Sequence, residues 1–240
     1  MKRWLLFVVT LALCAPRIAE GMATPVSTAV TVLTAPTPSP APKSIDEVFA
    51  YAGMLDITEL DDSIVLDLRY ATTNNFTGVQ HYEFPLALMH KDAAAAFLKA
   101  HNLAKADGYL LRIYDSYRPL SVQRSLYEST PPHLYAFVAA PSKNEKHSMG
   151  LAIDCGLSDL EGNEIPMPSG FDEFNESAYV GYTGGTAEEQ ANRDYLIQLM
   201  ERCGFTVYAK EWWHFSFPNP AGLEAQDISF GEFVALRDAE

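Results

Sequence analysis

Two short polar clusters set into apolar sequence constrain this chain more than any other feature. The first is Lys146-His147-Ser148-Met149-Gly150-Leu151-Ala152-Ile153-Asp154, and the second is Glu211-Trp212-Trp213-His214-Phe215. His147 and Asp154 are separated by an odd offset, as are Glu211 and His214. In a straight strand an odd offset sends two side chains to opposite faces. If His147 and Asp154 are to converge, the chain must bend between them, and Gly150 offers the place. The expectation is a loop bearing His147 followed by a strand bearing Asp154. Glu211 should stand at a strand entrance, where a bulge or turn can redirect it. Trp212 and Trp213 should pack to either side and exclude water.

These residue types suit a metal. Zinc is commonly held by neutral imidazole and carboxylate, and a catalytic zinc takes about three protein ligands with one position left for water. His147, Asp154 and His214 meet that count. Glu211 would be a nearby free carboxylate able to take a proton from the water, whose pKa zinc lowers. Read in isolation, the same residues also fit a hydrogen-bonded core histidine and a turn aspartate.

The rest of the chain alternates elements of both kinds. Ile64 to Tyr70 reads as a strand. Asp92 to Leu103 is alanine-rich and reads as a helix ending before Gly108. Tyr109 to Tyr114 is a strand by its aromatic and branched content. A helix starts near Ser121, after Pro119, and Leu151 to Leu157 is a short strand. Thr186 can cap a helix from Ala187 to about Cys203, with Gly204 at its stop. Phe205 to Tyr208 and Trp212 to Phe217 are the last strands. Interspersed strands and helices with short connections point to an α+β fold, an antiparallel-rich central sheet with helices mainly on one face.

The N-terminus is of another kind. Lys2 and Arg3 precede an apolar run from Trp4 to Ala15, too short to span a bilayer but suited to a signal-peptide core. Residues 1–23 are therefore expected to be a signal peptide, cleaved near Gly21-Met22-Ala23. Leu11-Ala12-Leu13-Cys14 offers a lipid anchor at Cys14 as an alternative, although Leu13 stands where a small residue is usual; a retained membrane anchor is a third option. Residues 24–43 hold five prolines and seven Ser or Thr. Such a stretch cannot build a core and reads as a tether. The globular domain is expected over 44–240, where Ser44 and Glu47 have capping-box spacing. Export places the protein in the periplasm or outside the cell, where Cys155 and Cys203 can either pair or remain buried thiols. The formal charge of −14 over 240 residues argues against nucleic-acid binding, which rests on Lys and Arg at phosphates.

The strings themselves resemble a known family. H-S-M-G-L-A-I-D followed by E-W-W-H-F is similar to the D-alanyl-D-alanine metallopeptidases, which include dipeptidases of the vancomycin-resistance type and zinc D,D-carboxypeptidases. Asp67-Leu68-Arg69-Tyr70-Ala71-Thr72 with Asn74-Asn75-Phe76-Thr77-Gly78, and Asp115-Ser116-Tyr117-Arg118-Pro119, resemble the dipeptidase branch. The four motifs occur in the family's order between about Ile64 and Phe217. The resemblance implies one Zn2+ per chain on His147, Asp154 and His214, with Glu211 as general base and later acid. It implies that Arg118 stabilises the transition state, with a salt bridge to Asp115 as the plainer role. Tyr70 and Asp172 would line the substrate pocket, Asp172 receiving the free ammonium. The substrate implied is a small D,D-dipeptide such as D-alanyl-D-alanine. A carboxypeptidase or endopeptidase acting on cell-wall peptides, and a metal-stabilised binding module without catalysis, are the alternatives. One position departs: Glu145 stands where the family has a serine that contacts the substrate carboxylate. A glutamate there would repel a carboxylate unless Lys146 or a shifted side chain takes over.

Overall fold

The computed structural model describes residues 43–135, 137–219 and 221–240. The expectations for residues 1–23 and for the tether up to Pro42 lie outside the described residues. In chain order the described elements are β1 (Ala50–Tyr51), β2 (Met54–Asp56), β3 (Val65–Leu66), β4 (Leu88–His90), α1 (Lys91–Ala106), β5 (Leu110–Asp115) and α2 (Leu120–Ser129). There follow β6 (Ala152–Ser158), α3 (Ala187–Arg202), β7 (Thr206–Tyr208), β8 (Glu211–Ser216) and α4 (Phe230–Arg237). Single 3-10 turns punctuate the connections.

A five-stranded sheet in the order β3-β5-β6-β8-β7 carries the site. Only β3–β5 is parallel; β5–β6, β6–β8 and β7–β8 are antiparallel. A smaller antiparallel sheet, β1-β2-β4, stands apart from it. Helices α1 and α3 pack against each other and both contact the large sheet, as an α+β layer arrangement requires. The core beneath them includes Phe97, Leu111, Ile113, Ile153, Cys155, Leu157, Leu196 and Phe215, all buried.

Local chemistry explains the long helices. In α1 a run of alanines gives high intrinsic propensity, and the His90 ring nitrogen accepts the Asp92 N–H at its start. In α3, Glu189 N–H donates to Thr186 Oγ1 at 3.1 Å and Thr186 N–H donates to Glu189 Oε2 at 2.7 Å, a full capping box. Every side chain of β6 is buried, so this central strand reads as a continuous apolar run broken only by Asp154 and its small polar end.

Three expectations need correction or addition. The strand expected over Ile64 to Tyr70 is confined to Val65–Leu66, and Arg69–Ala71 is a 3-10 turn. The Tyr70 carbonyl there accepts N–H bonds from His81 and Tyr82 in the following loop, and so is not available to a sheet neighbour. Cys155 and Cys203 are both free and buried, so the second of the two alternatives for them holds. The small sheet and α4 had no counterpart in the sequence reading. Strands β1 and β2 are too short for an alternation pattern. The signal present was Ala52-Gly53, both at positive φ between Tyr51 and Met54, which is the turn a two-residue hairpin favours.

Candidate active site

The two clusters meet on adjacent strands. Asp154 on β6 lies opposite His214 on β8 in antiparallel register, so both side chains leave the same face of the sheet. His147 sits on a 3-10 turn, His147–Met149, just before β6. That turn ends at Gly150, whose φ of 67° reverses the chain into the strand. His147 is thereby folded back over Asp154 despite the odd offset between them. Glu211 is the first residue of β8 and lies opposite Tyr208, where the β7–β8 ladder shifts register after Val207. That irregularity turns Glu211 into the same cavity as His214.

Three donor atoms face one point. His147 Nε2 is 3.2 Å from His214 Nδ1 and 3.5 Å from Asp154 Oδ1, and His214 Nδ1 is 2.9 Å from Asp154 Oδ1. Tetrahedral bonds of about 2.0–2.1 Å to zinc separate their ligand atoms by about 3.3 Å, so this triangle has the right size. The outer hydrogen bonds also suit a metal. His147 Nδ1 donates to the Ser116 carbonyl at 2.6 Å, which leaves the Nε2 lone pair facing inward. His214 Nε2 meets Ser216 Oγ at 3.2 Å, leaving Nδ1. Among the described residues this is the one group of His, Cys, Asp and Glu with metal-binding spacing.

Electrostatics follow from the crowding. Burial opposes an imidazolium at His147, but the adjacent Asp154 carboxylate outweighs it and raises the ring's pKa to about 9. Burial likewise opposes charge on Asp154, yet His147 and the bonds from both histidines hold it well below the usual carboxylate range. At Glu211 burial wins: it raises the pKa to about 7, and the nearby His214 charge offsets it only in part. A carboxylate with that proton affinity suits a general base at neutral pH.

Arg118 forms the opposite wall. It follows β5, and its Nε donates to Asp115 Oδ2 at 2.9 Å, with Nη2 bonded to the same oxygen at 2.5 Å. Asp115 is itself fully buried and accepts the Tyr82 hydroxyl at 2.7 Å. The guanidinium lies 5.1 Å from the centre of the Tyr70 ring and within 3.9 Å of Asp154. Thus the salt bridge to Asp115 is present and fixes Arg118 at the cavity. Tyr70 is buried, and its hydroxyl donates to Asp172 Oδ2 at 2.9 Å. Asp172 adopts a positive φ of 60°, and burial together with the Asp154 charge pushes its pKa up to about 8.

Glu145 does not reach freely into the cavity it lines. Its Oε2 accepts the Ser148 N–H at 2.5 Å, which caps the turn carrying His147. Although burial opposes its charge, the His147 and Arg118 charges and this bond lower its pKa. Lys146 Nζ turns to the Phe217 carbonyl at 3.3 Å.

All seven residues singled out from the sequence line one cavity of about 500 Å³. The sequence reading missed the other wall, built by Tyr135, Phe137, Val138 and Phe174 with Trp213 behind them. Phe137 stacks on Phe174, with ring centroids 5.2 Å apart. It also missed Gln123, a buried amide on α2 bonded to Arg118. An amphipathic helix containing a glutamine gives no sign that the amide faces inward. Trp212 and Trp213 are both buried, and Trp212 Nε1 donates to Ser169 Oγ at 2.9 Å.

Two imidazoles and a carboxylate in a tetrahedral-sized triangle, with a buried unpaired glutamate and a fixed arginine beside them, are the parts of a metallohydrolase. Residues 50–233 match the Peptidase_M15 family, described as D-ala-D-ala dipeptidase. The D-alanyl-D-alanine dipeptidase of Escherichia coli (strain K12) is 36% identical over 188 residues, covering 76% of this chain and 96% of that protein. The D-alanyl-D-alanine dipeptidase of Enterococcus faecium is 33% identical over 185 residues, covering 68% of this chain and 90% of that protein. A solved vancomycin resistance D,D-dipeptidase in complex with a D-Ala-D-Ala phosphinate analogue aligns with a TM-score of 0.34 at 18% identity. That alignment covers 75% of this chain and 63% of that one, and it is too distant to carry details of a site. The chain belongs to the D-Ala-D-Ala dipeptidase family of peptidases and is a zinc metallopeptidase.

Proposed function

We propose that this protein is an exported zinc D,D-dipeptidase that hydrolyses D-alanyl-D-alanine or a related small dipeptide. The observation that carries the reading is the convergence of His147, Asp154, His214, Glu211 and Arg118 on one cavity. His147 Nε2, Asp154 Oδ1 and His214 Nδ1 would hold one Zn2+. When bound, zinc would supply a Lewis acid able to polarise a carbonyl and to lower the pKa of water.

The chain's own residues do the rest. Glu211 takes the proton of the attacking water and returns it to the leaving amine, a task that its raised proton affinity matches. Arg118 is already anchored by its bonds to Asp115 and Gln123 before the reaction begins, so its remaining N–H groups stabilise developing charge on the carbonyl oxygen with little reorganisation. Asp172, steadied by the Tyr70 hydroxyl, receives the substrate's free ammonium. An incoming ammonium favours the ionised carboxylate and opposes the push that burial exerts on it.

Export rests on Lys2, Arg3 and the apolar run to Ala15, with the proline-rich stretch up to Lys43 as tether; a lipid on Cys14 is the alternative end of that leader. The cell wall, which lies outside the membrane, is where such a substrate class occurs. The deciding assay is release of D-alanine from D-Ala-D-Ala by the zinc-loaded protein. Turnover supports the reading, and absence of turnover of every D,D-dipeptide in a protein holding one zinc overturns it.

A second reading draws on the cavity itself. About 500 Å³ falls in the range that accepts drug-sized ligands. Two alanines do not need that space, so cleavage of longer cell-wall peptides by the same residues is the alternative, distinguished by rate against peptide length.

A further inference from the structure

The catalytic reading leaves the buried amide that grips Arg118 without a role. Gln123 lies in the first turns of α2 and is 1% exposed. Its Oε1 accepts from Arg118 Nη1 at 2.5 Å, and its Nε2 donates to the Ala139 carbonyl at 2.5 Å. Arg118 has no acceptor to offer and a backbone carbonyl has no donor, so these partners fix which way the amide points. Ala139 belongs to the stretch Tyr135, Phe137, Val138, Ala139 and Ala140 that lines the cavity.

We propose that Gln123 is a positioning residue that locks the Arg118 guanidinium in its working orientation and ties it to the Ala139 wall of the substrate cavity. The inference rests on the reading of Arg118 as the group that stabilises charge on the scissile carbonyl. The geometry supports it in two ways. Asp115 holds Nε and Nη2 through a single oxygen, Oδ2, which fixes one edge of the fork but leaves it free to pivot. Gln123 grips Nη1 from a different direction and removes that pivot. The second bond ties the same amide to the wall that a bound substrate must touch. A shift of Val138 to Ala140 would therefore be felt at Arg118 through one rigid group. A primary amide is suited to this place because it alone presents an acceptor and a donor at that length. Glutamate keeps the acceptor and loses the donor, and methionine keeps the volume and loses both.

The test is a double-mutant cycle on the zinc-loaded full chain, using Q123M, R118A and the pair, with Q123E as the conservative variant. Zinc content and thermal midpoint are measured for each. Removing a donor to a developing oxyanion lowers kcat by about 10²–10³; releasing its orientation alone is expected to cost about tenfold. Q123M should lower kcat about tenfold with KM changed less than about threefold. It should weaken binding of a phosphinate D-Ala-D-Ala analogue by a similar factor. In the R118A background Q123M should have no further effect, since the amide acts through the guanidinium. Q123E should recover most of kcat and raise KM instead, because the Arg118 contact survives and the Ala139 bond does not. Additive effects of Q123M and R118A, or a Q123M protein with wild-type kcat beside a crippled R118A, would overturn the proposal. If R118A itself retains full kcat, the underlying role of Arg118 is what has failed. Should Q123M not fold, Q123E decides alone: a kcat loss greater than its KM change overturns the inference.

Discussion

Gly150 is the residue on which the site's geometry turns, and Gly150→Ala measures how much. Its φ of 67° and ψ of 21° are left-handed, a conformation that costs an L side chain about 1–2 kcal/mol. An added Cβ would also lie 2.7 Å from the His90 backbone nitrogen, against an ordinary contact of 3.4–4 Å. Backbone cannot rotate aside as a side chain can, so β4 and the His147 turn must separate. That separation breaks the His90 N–H bond to the Gly150 carbonyl, now 2.9 Å, which is worth about 1 kcal/mol. The total is about 2–3 kcal/mol, which for a domain of this size lowers the thermal midpoint by about 4–12 °C. Zinc affinity should drop at least tenfold, because His147 rides on the displaced turn. Gly162→Ala provides the control. Gly162 has φ of 84° but nothing within 4 Å of a Cβ, so it pays the conformational cost without the collision. Thermal melts and zinc titrations of both variants separate the two contributions. If Gly150→Ala is no more destabilising than Gly162→Ala and binds zinc normally, the argument from close approach is wrong.

Other consequences can be checked alongside. Glu211→Gln should keep zinc bound and lower kcat by about 10²–10⁴, the range for loss of a general base; unchanged turnover would favour a non-catalytic role. Asp172→Ala should reduce kcat/KM for dipeptides more than for longer peptides, since only the former must place an ammonium at that carboxylate; equal losses in a peptide-length series would remove its assigned partner. Removing zinc with a chelator should abolish activity and lower stability, by about 4 kcal/mol relative to free zinc at a thousandfold its dissociation constant; an unshifted melting curve would mean that the triangle does not hold the ion. His101 tests the fold away from the site. Burial lowers its pKa from 6.5 to about 4. Between those values the unfolded chain binds a proton that the folded one refuses, so stability is complete above pH 6.5 and falls as pH drops towards 4. The loss is about 3 kcal/mol, read as the difference in urea-unfolding pH dependence between the wild type and His101→Gln; identical slopes would refute it. Ser63 and Asp61 beside His101 have the composition of a hydrolytic triad but are wired otherwise. Leu111 N–H donates to His101 Nδ1, so the ring's proton faces Ser63 Oγ and the ring is no base towards it.

Much of this protein was determined by the sequence alone. Alanine-rich α1, the Thr186 cap of α3, and strands β5, β6 and β8 are local in origin. They rest on propensity, capping and apolar runs within a few residues. His147, Asp154, His214 and Glu211 stood out in the sequence as polar residues among apolar neighbours, whereas Arg118, Tyr70 and Asp172 were indicated only by the family resemblance. Tertiary structure decided what no local pattern encodes. Strand β3 is cut to two residues because the Tyr70 carbonyl is taken by His81 and Tyr82 from beyond it. The small sheet is completed when β4 pairs with β2 across thirty-odd positions of chain. The position of Glu145 is also a tertiary outcome: its carboxylate caps the His147 turn at Ser148, a partner only the fold supplies. So too is the pairing of Asp154 with His214, which lie 60 positions apart in the chain. Sequence names the donors because their chemistry is carried by each residue. It cannot give the distances between them, because those depend on register between strands and on a backbone reversal at Gly150 that closes against His90.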